Sequence, residues 1–326
     1  MSKVIEKKTL RNIPILDLTW YFAFIYLLWW GMEIIINNFT NNFQANYFSL
    51  IKLFILGLVS QMGLNIAPSI FFCKLKKLNI KRIFKLNLVS TEQFILSFIL
   101  FLSFNGIALF LDNSMNIILS WFSLSYKMNN YIFAKDILTL IVLILVAGIL
   151  TPLCEELFYR GFLLSCTERI GVRLSIIYSA ACFSIMHTNP YRLSSLFVYS
   201  IFIGLIVYYT NSTLPGIIFH ILNNTIYEIG SYFSRGDLVT TSIINENNKG
   251  SDFISRKLIF YGIIFLICSV ISYVAIRRLK NIWIINNRIL IQKDIPEVKE
   301  PSQKIGYCMS IAIFMILFII KVLLYY

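Results

Sequence analysis

Residues 151–164 read TPLCEELFYRGFLL, and the run before them, residues 136–150, reads DILTLIVLILVAGIL. Together they exceed the roughly 20 residues that a helix needs to cross a bilayer. Glu155, Glu156 and Arg160 lie inside that apolar segment. A charge at such depth costs about 2.5–3.5 kcal/mol on insertion scales, so it needs a partner or water and marks a functional position by default. Glu156 and Arg160 are spaced i, i+4 with the acid nearer the N-terminus, the favourable order for an ion pair on a helix. Glu155 points about 100° away from Glu156 around a regular helix. It is left to face another group, and the sequence offers histidine.

Working outward, the 326 residues are 58% hydrophobic and only 14% charged, against about half and a quarter in soluble domains. Mean hydropathy is +0.74. Besides the segment around Glu155, apolar blocks run over about 15–36, 48–73, 92–111, 173–187, 193–210, 214–233, 258–276 and 305–326. The expected fold is all-α, a polytopic transmembrane helical bundle of about eight to nine spans. Residues 1–135 would supply N-terminal spans, 136–233 a catalytic core and 234–326 the C-terminal spans.

The net charge of +13 sits in the loops: the arm 1–14, the block 74–85, the turn with Arg169 and Arg173, and the polar segment 277–304. Block 74–85 holds Lys74, Lys76, Lys77, Lys81, Arg82 and Lys85 with no acid among them. This is the distribution that orients a membrane protein, not a nucleic-acid site, and it places the N-terminus in the cytoplasm of a multi-pass cell-membrane protein. The first block is too long for a signal-peptide core and lacks a small-residue cleavage site. Trp121, Phe122 and Tyr126 read as an interfacial segment. The six cysteines stand singly, so no disulfide framework is expected.

Only two histidines occur, His187 and His220, and both fall inside apolar blocks. Phe183 and His187 share a helix face, as do His220 and Asn224, with Glu228 a further turn along. Glu155 lies 16 residues before Gly171 and His187 lies 16 after it, so an antiparallel hairpin turning at Gly171 brings them to one level. A carboxylate in an apolar pocket can take a proton from water, and an imidazole and an amide can stabilise an oxyanion. The set suits hydrolysis of an amide. Two histidines and a carboxylate also form a ligand set for a divalent metal such as zinc with water in the open position. The HExxH signature is absent, which leaves the metal open.

Three elements stand in order: Glu155-Glu156-Leu-Phe-Tyr-Arg160, Phe183-Ser-Ile-Met-His187 and His220-Ile-Leu-Asn-Asn224. This EExxxR, FxxxH, HxxxN pattern resembles the CPBP family of intramembrane proteases, which comprises CAAX-type prenyl endopeptidases and bacteriocin-processing enzymes and is also called the Abi family. The resemblance covers about residues 136–233. It implies an intramembrane endopeptidase in which Glu155 activates water, Glu156 and Arg160 support it, His187 orients the water or the glutamate, and His220 with Asn224 stabilises the oxyanion. Implied partners are the lipid bilayer and a membrane-associated or lipidated peptide or protein, such as a prenylated C-terminus or a peptide leader. A metalloprotease mechanism stays open under the resemblance. Two other readings compete: a non-catalytic protein of the same fold with a bacteriocin self-immunity or scaffold role, and a transporter. The transporter reading lacks the paired repeats common in that class.

Overall fold

The computed structural model describes residues 15–41, 46–121, 132–168, 171–187, 189–234 and 251–287, with scattered helical positions between 309 and 322. The basic arm 1–14, Phe122 and Tyr126, Arg169, most of the loop 234–257, residues 288–304 and much of the last expected span lie outside them. The described residues form helices and no strands. These are α1 (Ile15–Asn41), α2 (Tyr47–Leu75), the one-turn α3 (Ile80–Ile83), α4 (Thr91–Trp121), α5 (Ile137–Thr167), α6 (Val172–Met186), α7 (Leu193–Thr210), α8 (Leu214–Phe233) and α9 (Ser251–Asn286).

Five of them, α2, α4, α5, α7 and the part of α9 from Lys257, are long and apolar enough to cross a membrane. The chain is an all-α, multi-pass membrane protein. The expected eight to nine spans would need α1, α6, α8 and the terminal helical positions as well; the described apolar stretches Tyr21–Ile36 of α1 and Val172–Met186 of α6 are shorter than the five. Large apolar side chains such as Phe48, Leu102, Leu145, Leu266 and Val270 face outward, as lipid permits and water does not.

The ends of α4 and α9 differ most from expectation. Helix α4 runs on to Trp121, well past Leu111. Helix α9 continues through Arg277 and Arg278 to Asn286, so the first part of the polar segment 277–304 is helix. Arg278 there pairs with Glu92 of α4 at 2.8 Å, and Trp283 stacks against Tyr208 of α7, ring centroids 5.4 Å apart. Those contacts hold a polar helical turn that composition alone assigns to a loop.

The middle of α5 is the hub. Phe158 and Phe162 pack against Phe22 of α1, and Phe162 also meets Phe72 of α2, with ring centroids 5.4–6.3 Å apart. Its winding is unusual. Residues Ile144–Leu150 and Glu156–Leu163 adopt π-helix, with i→i+5 bonds; such turns are rare and recur at functional sites. Pro152 explains the first. Thr151 N–H bonds Val146 O five residues back, and the next donor in that register would be residue 152, which as proline has none. Ala147 O is thereby released. Helix α2 repeats the pattern, with Met62–Ile66 in π-helix, Ala67 N–H on Met62 O, and Pro68 next.

The basic segment closes one end of the bundle. Ser165 donates to Ile83 O at 2.8 Å, Thr213 Oγ1 donates to Phe84 O at 2.9 Å, and Asn87 donates to Asn211 O at 2.7 Å. Lys85 is buried and ion-paired with Glu168. The ends of α5 and α7 and the start of α8 are thus tied to one strap. Gly171, at φ 108°, makes the turn into α6, where a side chain would be strained.

Candidate active site

The imidazole of His220 stands between the two adjacent glutamates. Its Nδ1 lies 2.9 Å from Glu156 Oε1, and its Nε2 lies 3.9 Å from Glu155 Oε2. A carboxylate oxygen accepts, so Nδ1 carries the hydrogen and donates, and in the neutral ring Nε2 holds the lone pair. The second separation is too long for a direct hydrogen bond. Glu155 and Glu156 therefore both address one ring, each through a different nitrogen.

Burial separates the two acids. The Glu156 and Arg160 side chains are fully buried, whereas that of Glu155 keeps 14% of its surface. Arg160 Nε lies 3.2 Å from Glu156 Oε2 across the i, i+4 spacing, and the guanidinium carbon sits 4.0 Å from the centre of the Phe183 ring. A cation on an aromatic face in a desolvated site contributes about 2 kcal/mol. Buried opposite charges on one helix need such support, because their desolvation otherwise exceeds their attraction.

Glu156 also explains a glycine. A Cβ at Gly216 would lie 3.3 Å from Glu156 Oε2 and 2.9 Å from Ile203 Cγ2. Only a residue without a side chain lets α8 approach the carboxylate this closely.

His187 takes a different position. It is exposed, one residue past the end of α6. Its Nδ1 donates to Phe183 O at 2.9 Å, and its ring lies 4.5 Å from that of Phe183. The same tautomer argument leaves its Nε2 as an acceptor. It is near enough to Glu155, His220 and Arg192 for their charges to act on it.

Asn224 is committed elsewhere. Its Nδ2 donates to Ala147 O at 3.1 Å, the carbonyl that Pro152 leaves without a donor. Glu228 is buried. The structure thus brings Glu155, Glu156, Arg160 and His220 together, sets His187 at the margin, and places Asn224 as the tie between α5 and α8. Sequence reasoning passed over Phe183 as the seat of the Arg160 guanidinium, Gly216 as the gap for Glu156, and Tyr199, whose ring meets that of His220 at 5.4 Å.

The fit to a metal is poor. Among the described residues no three His, Cys, Asp or Glu side chains are grouped to hold an ion, and catalytic zinc takes three protein ligands. Glu156 and Nδ1 of His220 are already engaged with each other.

Residues 137–226 match the family model described as Rce1-like, type II CAAX prenyl endopeptidase Rce1-like. The matched stretch spans α5 to most of α8 and contains all three motifs, in agreement with the CPBP resemblance. No curated protein and no solved structure gives a significant match.

Proposed function

We propose that this protein is an intramembrane endopeptidase that hydrolyses a peptide bond with water activated by Glu155. The observation that carries the reading is the His220 ring held on Glu156 with its other nitrogen turned to Glu155. The family match supports proteolysis in general; the roles below rest on the geometry.

Glu155 is the partly exposed acid, so it takes the proton of a water as that oxygen attacks the carbonyl carbon. It then returns the proton to the leaving nitrogen as the C–N bond breaks, giving a carboxylic acid and an amine. His220 uses Nδ1–H on Glu156, so it can donate from Nε2 to the oxyanion only when its ring is protonated. Glu156 is then the counter-charge that orients and stabilises the imidazolium, the logic of a hydrolytic triad. Arg160 on the Phe183 ring holds Glu156 in place. His187, at the margin, accepts at Nε2 and orients the attacking water. Asn224 supports the site by fixing α8 against α5, and its second amide hydrogen is available to the oxyanion.

The matched family's description names prenyl endopeptidases, which makes a lipidated, membrane-anchored peptide the substrate class to test. The test is cleavage of an internally quenched peptide ending in a prenylated Cys-aliphatic-aliphatic-X sequence by the full chain in detergent, beside a leader-type peptide of the same length. Cleavage of either by the wild type and by neither Glu155→Gln nor His220→Ala is the expected result. Equal cleavage by Glu155→Gln would remove Glu155 from the mechanism.

A further inference from the structure

Tyr199, on α7, belongs to none of the three motifs, yet it stands against the supports of the reacting groups. Its ring meets the His220 imidazole edge-on, at 5.4 Å and 73°. It also lies 6.2 Å from the Phe183 ring, on which Arg160 rests. The Tyr199 hydroxyl is buried and has no hydrogen-bond partner. Of the charges acting on it, that of Glu156 is foremost, followed by Arg160 and Glu155.

The helix face confirms the direction. Ile203 lies one turn beyond Tyr199 on the same side of α7, and Ile203 and Glu156 Oε2 crowd the same point at Gly216. Glu156 Oε2 is itself buried without a hydrogen bond. A hydroxyl with no partner and a carboxylate oxygen engaged only by the Arg160 ion pair therefore share one desolvated neighbourhood. A buried hydroxyl without a partner is destabilising, and phenylalanine would fill the space without that cost. Packing does not account for the oxygen.

We propose that Tyr199 is a positioning residue whose hydroxyl donates to Glu156 Oε2 during turnover, fixing the carboxylate that holds His220 and thereby aiming Nε2 at Glu155. The proposal rests on the reading of Glu155 and His220 as the hydrolytic pair. Its test compares the wild type, Tyr199→Phe and Glu155→Gln, each purified as the full chain in detergent, on the quenched prenylated peptide, with thermal unfolding measured in parallel.

Tyr199→Phe should unfold at the same or a higher temperature, because it sheds a buried unpaired group. Its kcat should fall about tenfold with KM unchanged, the loss expected from slight misplacement of catalytic groups. A wild-type kcat in Tyr199→Phe overturns the proposal. So does a loss of kcat that travels with a lower unfolding temperature, which is the behaviour of a packing residue. A wild type that does not cleave, or a Glu155→Gln variant that cleaves equally well, defeats the hydrolytic reading and this inference with it. An inactive Glu155→Gln beside a fully active Tyr199→Phe removes Tyr199 alone.

Discussion

The link between Pro152 and Asn224 yields a prediction that separates structure from catalysis. In the π register of Ile144–Leu150 the donor due to Ala147 O is missing because residue 152 is proline, and Asn224 Nδ2 supplies it at 3.1 Å. Asn224→Ala should leave that carbonyl unpaired between α5 and α8, at a cost of about 1–3 kcal/mol. Pro152→Ala restores an N–H in register. In the wild-type background it adds a second donor to a carbonyl already served. In the Asn224→Ala background it serves one that has none. Its stabilising effect should therefore be larger in the second background by about 1–2 kcal/mol, a coupling well above the roughly 0.5 kcal/mol scatter of independent sites. The assay is a double-mutant cycle of denaturant unfolding in detergent micelles, with peptide cleavage measured on the same four proteins. If stability is recovered in the double variant while cleavage stays low, Asn224 also acts on the oxyanion. Additive stabilities would refute the argument that Asn224 replaces the donor lost at Pro152.

Gly216→Ala should push Glu156 and Ile203 by several tenths of an ångström and lower kcat about tenfold; its control, Gly230→Ala, meets nothing within 4 Å and should cleave normally, and equal rates in both would argue against the close approach of α8. Arg160→Lys keeps the charge but loses the planar fork that lies on Phe183, and should lower kcat about 10–100-fold in the cleavage assay. Thr213→Val removes the hydroxyl that binds Phe84 O and should cost about 1 kcal/mol of unfolding stability with little effect on kcat. Asp136, just before α5, caps the helix through Thr139 N–H at 2.8 Å, and that bond holds its carboxyl below the usual carboxylate range. The cap's stabilisation is therefore fully present above a pH of about 3.9 and is lost as pH falls through the lower folded value; Asp136→Ala should erase that acid dependence of the unfolding temperature.

How far the site was legible depends on the range of the physics involved. The bounds of α7 and α8 follow from apolar runs separated by Asn211–Thr213, where Asn211 takes the left-handed conformation at φ 52°. The Glu156–Arg160 pair follows from i, i+4 spacing alone. That both glutamates meet one histidine was not legible, because it depends on how α8 packs against α5 and on each ring nitrogen of His220 facing a different carboxylate. The partners of Arg160 and Asn224 lie on other helices, at Phe183 and Ala147, and helical spacing carries no information about them. Tyr199 was hidden for the same reason: on an apolar helix a tyrosine looks like any other core aromatic. The helical stretch of α9 from Arg277 to Asn286 depends on pairing with Glu92 and Tyr208, contacts that composition does not reveal.

The most direct measurement of the central claim is the profile of membrane peptides and small proteins in cells carrying the wild type, compared with cells carrying Glu155→Gln at equal membrane levels. The account predicts a peptide that accumulates uncut only with the variant, which would identify the substrate as well as the activity. Identical profiles would contradict it, and the two glutamates around His220 would then be a structural cluster in a protein that does not cleave.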